Sequence, residues 1–365
     1  MKKIIPFVLA LLMLFTSTSF SYAEEIYESK GYKYKVLEDG TIAILEIPFV
    51  SGFSKATKKL PATIDGFKVS TIAGRALWAE YIEKLIIPEG VTTLAGAVDC
   101  RALIELSLPS TLVNIGELSS GYYPFQGCGN LQKITISKKN PVYAVENNCV
   151  YNRETKELLY YPIAAKAKKV STPKGIEKIA SYAFYKTQYL ETLVISEGVS
   201  SMGDYAIMEC EKLKQIDIPA TLDISDEWKI RDCNELVKLT VKKDNPYNQV
   251  INNALINTIH NRFLLLPAKA KNKDYTIPDT IIEIGNHAIY NCNNLKALHI
   301  PGNVEFISKH AIEDCRFLDT LTIEEGVLYA YNESILRCPH LINISYPDST
   351  TLNAIPPVKY MNREE

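Results

Sequence analysis

The sequence predicts an α/β solenoid: a right-handed coil with a parallel β-sheet on one face, short helical turns on the other, and two β-hairpin insertions. Three observations predict it. A unit of 23 residues recurs along the chain, the units fall into a longer duplicated block, and the apolar residues of each unit change spacing partway along it.

The recurrence comes first. Residues 176–198, 199–221, 281–303 and 304–326 all read I/V-x-x-I/M-x-x-x-A-I/F-x-x-C/T-x-x-L-x-x-L/I-x-I, and Pro, Gly, Thr or Asn closes each one. Nine units begin near Val69, Val91, Leu112, Ile176, Val199, Leu222, Ile281, Val304 and Val327. The Cys or Thr position falls at Cys128, Thr187, Cys210, Cys233, Cys292, Cys315 and Cys338, at intervals of 59, 23, 23, 59, 23 and 23. Residues 128–232 and 233–337 are therefore copies of one 105-residue block, and each interval of 59 holds a 36-residue insertion. The insertions, about 140–175 and 245–280, share Asn-Pro at the start and a Pro-containing, Lys-rich end.

The physics of one unit explains the stack. Leu-x-x-Leu-x-Ile ends with apolar residues two apart, which is strand periodicity. Ala-Phe-x-x-Cys-x-x-Leu has them three and four apart, which predicts a short helical turn. One unit cannot close its own core, so neighbours stack and pair their strands in parallel. In each insertion, Cys149-Val150-Tyr151 with Leu158-Leu159-Tyr160-Tyr161, or Ala254-Leu255-Ile256 with Arg262-Phe263-Leu264-Leu265, predicts a hairpin that projects from or extends the sheet.

The ends follow. Residues 1–23 read as an export leader: Lys2 and Lys3, an apolar run from Ile4 to Phe15, then Ser21-Tyr22-Ala23 as the cleavage site. That run is short for a bilayer core of roughly 30 Å, and no transmembrane segment is expected. Residues 24–68 are expected to form a cap with a hairpin over Tyr32 to Ile44, residues 69–346 the solenoid, and residues 347–365 a tail. The chain has 40 basic and 42 acidic residues, net −2, which argues against nucleic acid as a partner.

The recurring I-x-x-A-F-x-x-C-x-x-L-x-x-I-x-I-P unit resembles the BspA-type leucine-rich repeat of bacterial surface and secreted proteins. Tyr34-x-Val36-x-x-Asp39-Gly40-Thr41, Asn140-Pro141-x-Tyr143 and Tyr160-Tyr161-Pro162 add to the likeness, which spans residues 32–346. The resemblance implies a leucine-rich-repeat fold and extracellular or cell-surface binding, often adhesion. It brings no catalytic motif.

Candidate sites are weighed against the repeat. Seven of the eight cysteines share one row, all except Cys149, which implies small buried side chains and free thiols in place of disulfides or zinc ligands. His287 and His310 take the place of Tyr182, Tyr205 and Trp228, so they read as part of an aromatic stripe. A two-histidine metal or pH-sensitive patch is the alternative, and no carboxylate stands at matching phase. No cofactor or metal is expected. The residue between the last two apolar positions must face out, giving a candidate binding row of Ile86, Ser107, Thr135, Val194, Asp217, Thr240, His299, Thr322 and Ser345. Tyr143, Tyr151, Tyr160 and Tyr161 are candidate contacts in the first insertion. The expected function is non-enzymatic binding of an extracellular protein or glycan by an exported chain. The alternatives are a self-associating envelope protein and an enzyme acting on glycans or peptides at the insertions.

Overall fold

The computed structural model describes residues 25–48, 56–74, 76–77, 81–96, 98–116, 125, 127–331 and 333–345. The expected leader over 1–23 and tail over 347–365 lie outside these residues.

Each full coil carries three short strands, one on each of three faces. In the coil from Ile176 these are Lys178–Ile179, Phe184–Tyr185 and Thr192–Val194, taken as the first, second and third faces. Each pairs in parallel with its counterpart 23 residues on: Ile179 with Met202, Phe184 with Ile207, and Leu193 with Ile216. Ala183, Phe184, Leu190 and Leu193 point inward and are fully buried. Each large aliphatic or aromatic residue of that kind stabilises the fold by roughly 1.5–3 kcal/mol.

The expected helical turns do not form. Among the described residues the one helical segment is a 3-10 turn at Glu227–Lys229, capped by the Asp226 side chain. The fold is a β-solenoid. Its backbone hydrogen bonds explain why. Phe184 N donates to Ala206 O and Lys186 N to Met208 O, both in the next coil, so these amides are committed between coils. Left-handed residues flank the second-face strand, Tyr182 at φ 60° and Lys186 at φ 53°, and an α-helix cannot contain them. The three-residue apolar spacing comes instead from a turn. Leu213 N donates to Cys210 O, and the same bond closes Cys-x-x-Leu in six further coils.

All eight cysteines are free and buried. In several coils the thiol donates to a carbonyl of the preceding coil, as Cys210 does to Phe184 O (2.9 Å) and Cys128 to Val98 O (3.2 Å).

The insertions are walls inside the solenoid and not projecting hairpins. The first is a three-stranded antiparallel meander, Tyr143–Glu146, Cys149–Asn152 and Glu157–Tyr160. The second repeats it with Asn248–Ile251, Ala254–Asn257 and Arg262–Leu265. The last strand of each pairs in parallel with the next coil on the first face, and so extends that sheet. Both sides of each meander are covered. Val150, Leu159 and Tyr160 pack into an N-terminal core, while Cys149, Leu158 and Tyr161 pack into a middle one. In the second wall Leu255 and Leu264 face the middle core, and Ala254, Ile256 and Phe263 face a C-terminal core. Strand alternation sends Cys149 and Val150, and Leu158 and Leu159, into different cores, and a β-bulge at Leu159 puts Tyr160 in the same core as Leu159. Burial on both faces is why Leu158-Leu159-Tyr160-Tyr161 is an unbroken apolar run.

Side chains bridge each wall to the sheet before it. The Tyr143 hydroxyl accepts from Ile115 N (3.2 Å) and donates to Val113 O (3.3 Å). In the second copy Asn248 accepts from Ile224 N and donates to Ile224 O, both at 2.8 Å. At the N-terminus the expected hairpin forms, Tyr32–Val36 with Ile42–Glu46, and a further strand, Tyr27–Ser29, is added outside it. Ile42–Glu46 pairs in parallel with Phe67–Ile72, which starts the first-face ladder.

Candidate binding face

The third face carries three four-stranded parallel ladders. Ala56–Lys59, Ile82–Ile86, Glu105–Leu108 and Lys133–Ile136 make one four-stranded sheet; Lys169–Ser171, Thr192–Val194, Gln215–Ile218 and Lys238–Val241 make a second. Asp274–Thr276, Ala297–Ile300, Thr320–Ile323 and Asn343–Ser345 make the third.

Register brings the outward residues into line. Ile86, Ser107 and Thr135 are successive partners, as are Val194, Asp217 and Thr240, and then His299, Thr322 and Ser345. Thr135 and Ser345 are exposed and the other seven are half-buried, while Leu85, Leu106, Leu193, Ile216, Leu298 and Leu321 beside them are fully buried. Sequence reasoning missed three members of the row. Lys59, Ser171 and Thr276 head the three sheets and pair with Ile86, Val194 and His299. They sit in short coils without the Ala-Phe-x-x-Cys signature. The available signal was polar–apolar–polar alternation at Lys169-Val170-Ser171 and Asp274-Tyr275-Thr276, at matching points of the two insertions.

The chemistry of the row is that of small hydroxyls and shared charges. Thr135 Oγ donates to Ser107 Oγ at 3.1 Å. Asp217 accepts from Gln215 Nε2 at 2.7 Å and from the Thr240 hydroxyl. Beside the row, Glu191 is shared by Lys214 (2.8 Å) and Lys168 (2.9 Å), whose hydrogen bonds hold its carboxyl down at about 2. Lys84 pairs with Glu105 at 3.0 Å and lowers its carboxyl as well. His299 Nε2 meets Glu324 at 3.0 Å. Such a face presents hydroxyl and charged donors and acceptors in register along three ladders.

The insertion tyrosines do not join this row. Tyr143, Tyr160 and Tyr161 are buried in the walls, and Tyr151 is half-buried against the middle core. Burial raises the Tyr143 hydroxyl above its usual range. A ligand meeting this insertion would therefore meet other side chains.

The aromatic stripe runs along the corner before the second face. Tyr182 stacks on Tyr205 with centroids 5.2 Å apart, Tyr205 meets Trp228 edge-on at 5.7 Å, and His287 stacks on His310 at 5.2 Å. The structure adds the carboxylate that sequence spacing did not reveal, Glu313, three residues after His310. Among the described residues no helix is long and apolar enough to cross a membrane.

A family model described as BspA type leucine-rich repeat region (6 copies) matches residues 70–162, 159–272 and 268–356. The chain belongs to the BspA-type leucine-rich-repeat family. A leucine-rich cell surface protein from Faecalibacterium prausnitzii shares this BspA-type chain's fold at 18% identity and TM-score 0.53, over 90% of this chain and 96% of that one. A leucine-rich-repeat protein from Eubacterium ventriosum aligns at 18% identity and TM-score 0.45, over 90% and 92% of the two chains. The pneumococcal vaccine antigen PcpA aligns at 16% identity and TM-score 0.35, over 89% and 99%. No curated protein matches the chain.

Proposed function

We propose that this BspA-type chain is an exported, non-enzymatic binding protein that grips a protein or glycan outside the cell through its third face. The observation that carries the reading is the ladder itself: twelve strands in three sheets, with an outward row in which seven of the twelve residues are Ser or Thr, held in register by a buried core. Such a rigid lattice loses little conformational entropy when a flat polar partner docks. The resemblance of residues 1–23 to an export leader supports the compartment, and the Faecalibacterium neighbour is described as a cell surface protein.

A solid-phase screen against extracellular matrix proteins, bacterial surface polymers and glycans tests this. Saturable binding should appear and should fall at least 10-fold in a variant combining Asp217→Arg with Thr240→Arg. Hydrolysis of a glycan or peptide library by the purified chain would instead make it an enzyme. A second reading, self-association, has one observation behind it. Phe317, Leu328, Tyr331 and Ile342 expose large apolar surfaces in the last described coils. A mass that rises with concentration in light scattering would favour it.

A further inference from the structure

We propose that His287, His310 and Glu313 form a binding site for one divalent first-row transition cation of the zinc, cobalt and nickel class, which takes imidazole nitrogen and carboxylate oxygen together. His287 and His310 hold the same corner of consecutive coils, both in the left-handed region (φ 51° and 56°), and their stacked rings must turn out of parallel for both Nδ1 lone pairs to meet one ion. Glu313 ends the second-face strand that follows His310, and its side chain is 2% exposed. Glu313 Oε2 lies 2.9 Å from His287 Nδ1 and 3.3 Å from His310 Nδ1. Nitrogen and oxygen ligands about 2.0–2.1 Å from a tetrahedral zinc stand roughly 3.3 Å from one another.

These three atoms, His287 Nδ1, His310 Nδ1 and Glu313 Oε2, are buried and, among the described residues, meet only one another at ion-pair distance, and none makes a hydrogen bond of acceptable direction. Buried polar atoms are otherwise nearly always paired. A cation among them satisfies all three at once. The surroundings are arranged for it. The Arg337 guanidinium holds the other Glu313 oxygen and grips both oxygens of Asp314 (2.7 and 2.9 Å), which orients the carboxylate and leaves Oε2 to the site. Glu333, paired with Lys309 at 3.0 Å, stands 3.6 Å from His310 Nε2, beyond hydrogen-bond distance but on the outer-shell side of the imidazole. His287 also borders an open cleft, lined by Arg231, Asp232, Leu265, Ala268 and Tyr290, where the short coil places no second-face strand between Ile230–Arg231 and Ile289–Tyr290. That cleft reaches His287 and gives a cation its route toward the site.

The duplicated block supplies an internal comparison. The positions 105 residues earlier are Tyr182, Tyr205 and Met208. There the same backbone carries two stacked phenol rings and a thioether. All three donor positions differ together in the second copy. Calcium and magnesium are disfavoured, because they seek oxygen ligands.

Co2+ titration of the full chain after dialysis against a chelator tests the site. One Co2+ per chain should bind, with visible d–d absorption that Zn2+ abolishes by displacement. In His287→Tyr/His310→Tyr, which installs the residues of the first block, affinity should fall at least 100-fold while circular dichroism is unchanged; His299→Ala should bind like the wild type. A measurement on the wild type guards against a misfolded variant. Zn2+ should shift the imidazole 15N resonances of His287 and His310 and leave those of His260, His299 and His340 in place. No Co2+ uptake at millimolar concentration, equal uptake by the folded double variant, or Zn2+ shifts confined to the other histidines would overturn the proposal.

Discussion

Asn140 is buried where the chain leaves the third-face strand Lys133–Ile136 and enters the first wall. Its Nδ2 donates to Pro109 O (3.0 Å) and Leu112 O (2.7 Å), and its Oδ1 accepts from Val142 N (2.9 Å) and Tyr143 N (2.7 Å). Asn245 repeats all four bonds at the second wall. No apolar residue of that size replaces them. Asn140→Leu should therefore cost roughly 3–5 kcal/mol, since each stranded buried group costs about 1–3 kcal/mol before relaxation. Urea denaturation would show it as a lower midpoint with an unchanged slope. The thiols give a second residue-scale prediction. Burial pushes the Cys128 thiol up to about 12, so that thiol stays protonated, and burial keeps reagents from the rest of the row. Thiol reagent should count eight free thiols in denaturant without reductant and almost none in the native chain. A third concerns acid. Glu89 accepts from Ser110 N (3.0 Å) and Ser110 Oγ (2.7 Å), and these bonds hold its carboxyl below the ordinary 4.5. A depressed folded pKa stabilises above the unfolded value and is lost as pH falls through the folded one. The melting-temperature gap between wild type and Glu89→Gln should thus be widest above about pH 5 and close as pH drops below 4.5. Glu89 is exposed, so the gap amounts to less than about 1 kcal/mol.

At the scale of elements, the walls decide what can be removed. Tyr161 is fully buried and stacks on Phe184 with centroids 5.4 Å apart. Tyr161→Ala should cost about 3–5 kcal/mol, as for other large buried aromatics. Replacing residues 142–165 with a flexible linker should abolish the cooperative melt followed by circular dichroism, because two cores lose their shared partition. A retained melt would show the wall to be dispensable. The walls also mark the boundary of what the residues alone reveal. Parallel stacking, the cysteine row, the aromatic stripe and nine of the outward positions all follow from a 23-residue period, because each repeat puts one residue type in one environment. The walls break that period, and a run such as Leu-Leu-Tyr-Tyr reads alike whether one face or both are covered. The sequence suggests helical turns because residues such as Cys210 and Leu213 owe their spacing to left-handed corners and a tight turn. Glu313 escaped notice because it belongs to the coil of His310 but reaches back to His287 in the coil before.

For the whole molecule, three cores in series imply graded stability along the axis. A repeat array takes its stability from neighbours, so the end coils have fewer sources of it than the middle. Native-state hydrogen exchange should find the amides of Thr192–Val194 and Gln215–Ile218 among the slowest, and those of Asn343–Ser345 exchanging first in their sheet. Uniform exchange across all three sheets would show one cooperative unit instead. The same partitions bear on how the molecule would answer a mechanical load. Its ladder bonds run from coil to coil, along the solenoid axis, so a pull between the two ends opens them one after another instead of shearing many together. A wall at the start of each block is where such peeling should pause. Each 105-residue block released this way lets out roughly 350 Å of chain. A chain that lengthens by such steps spreads a sudden pull over a long extension.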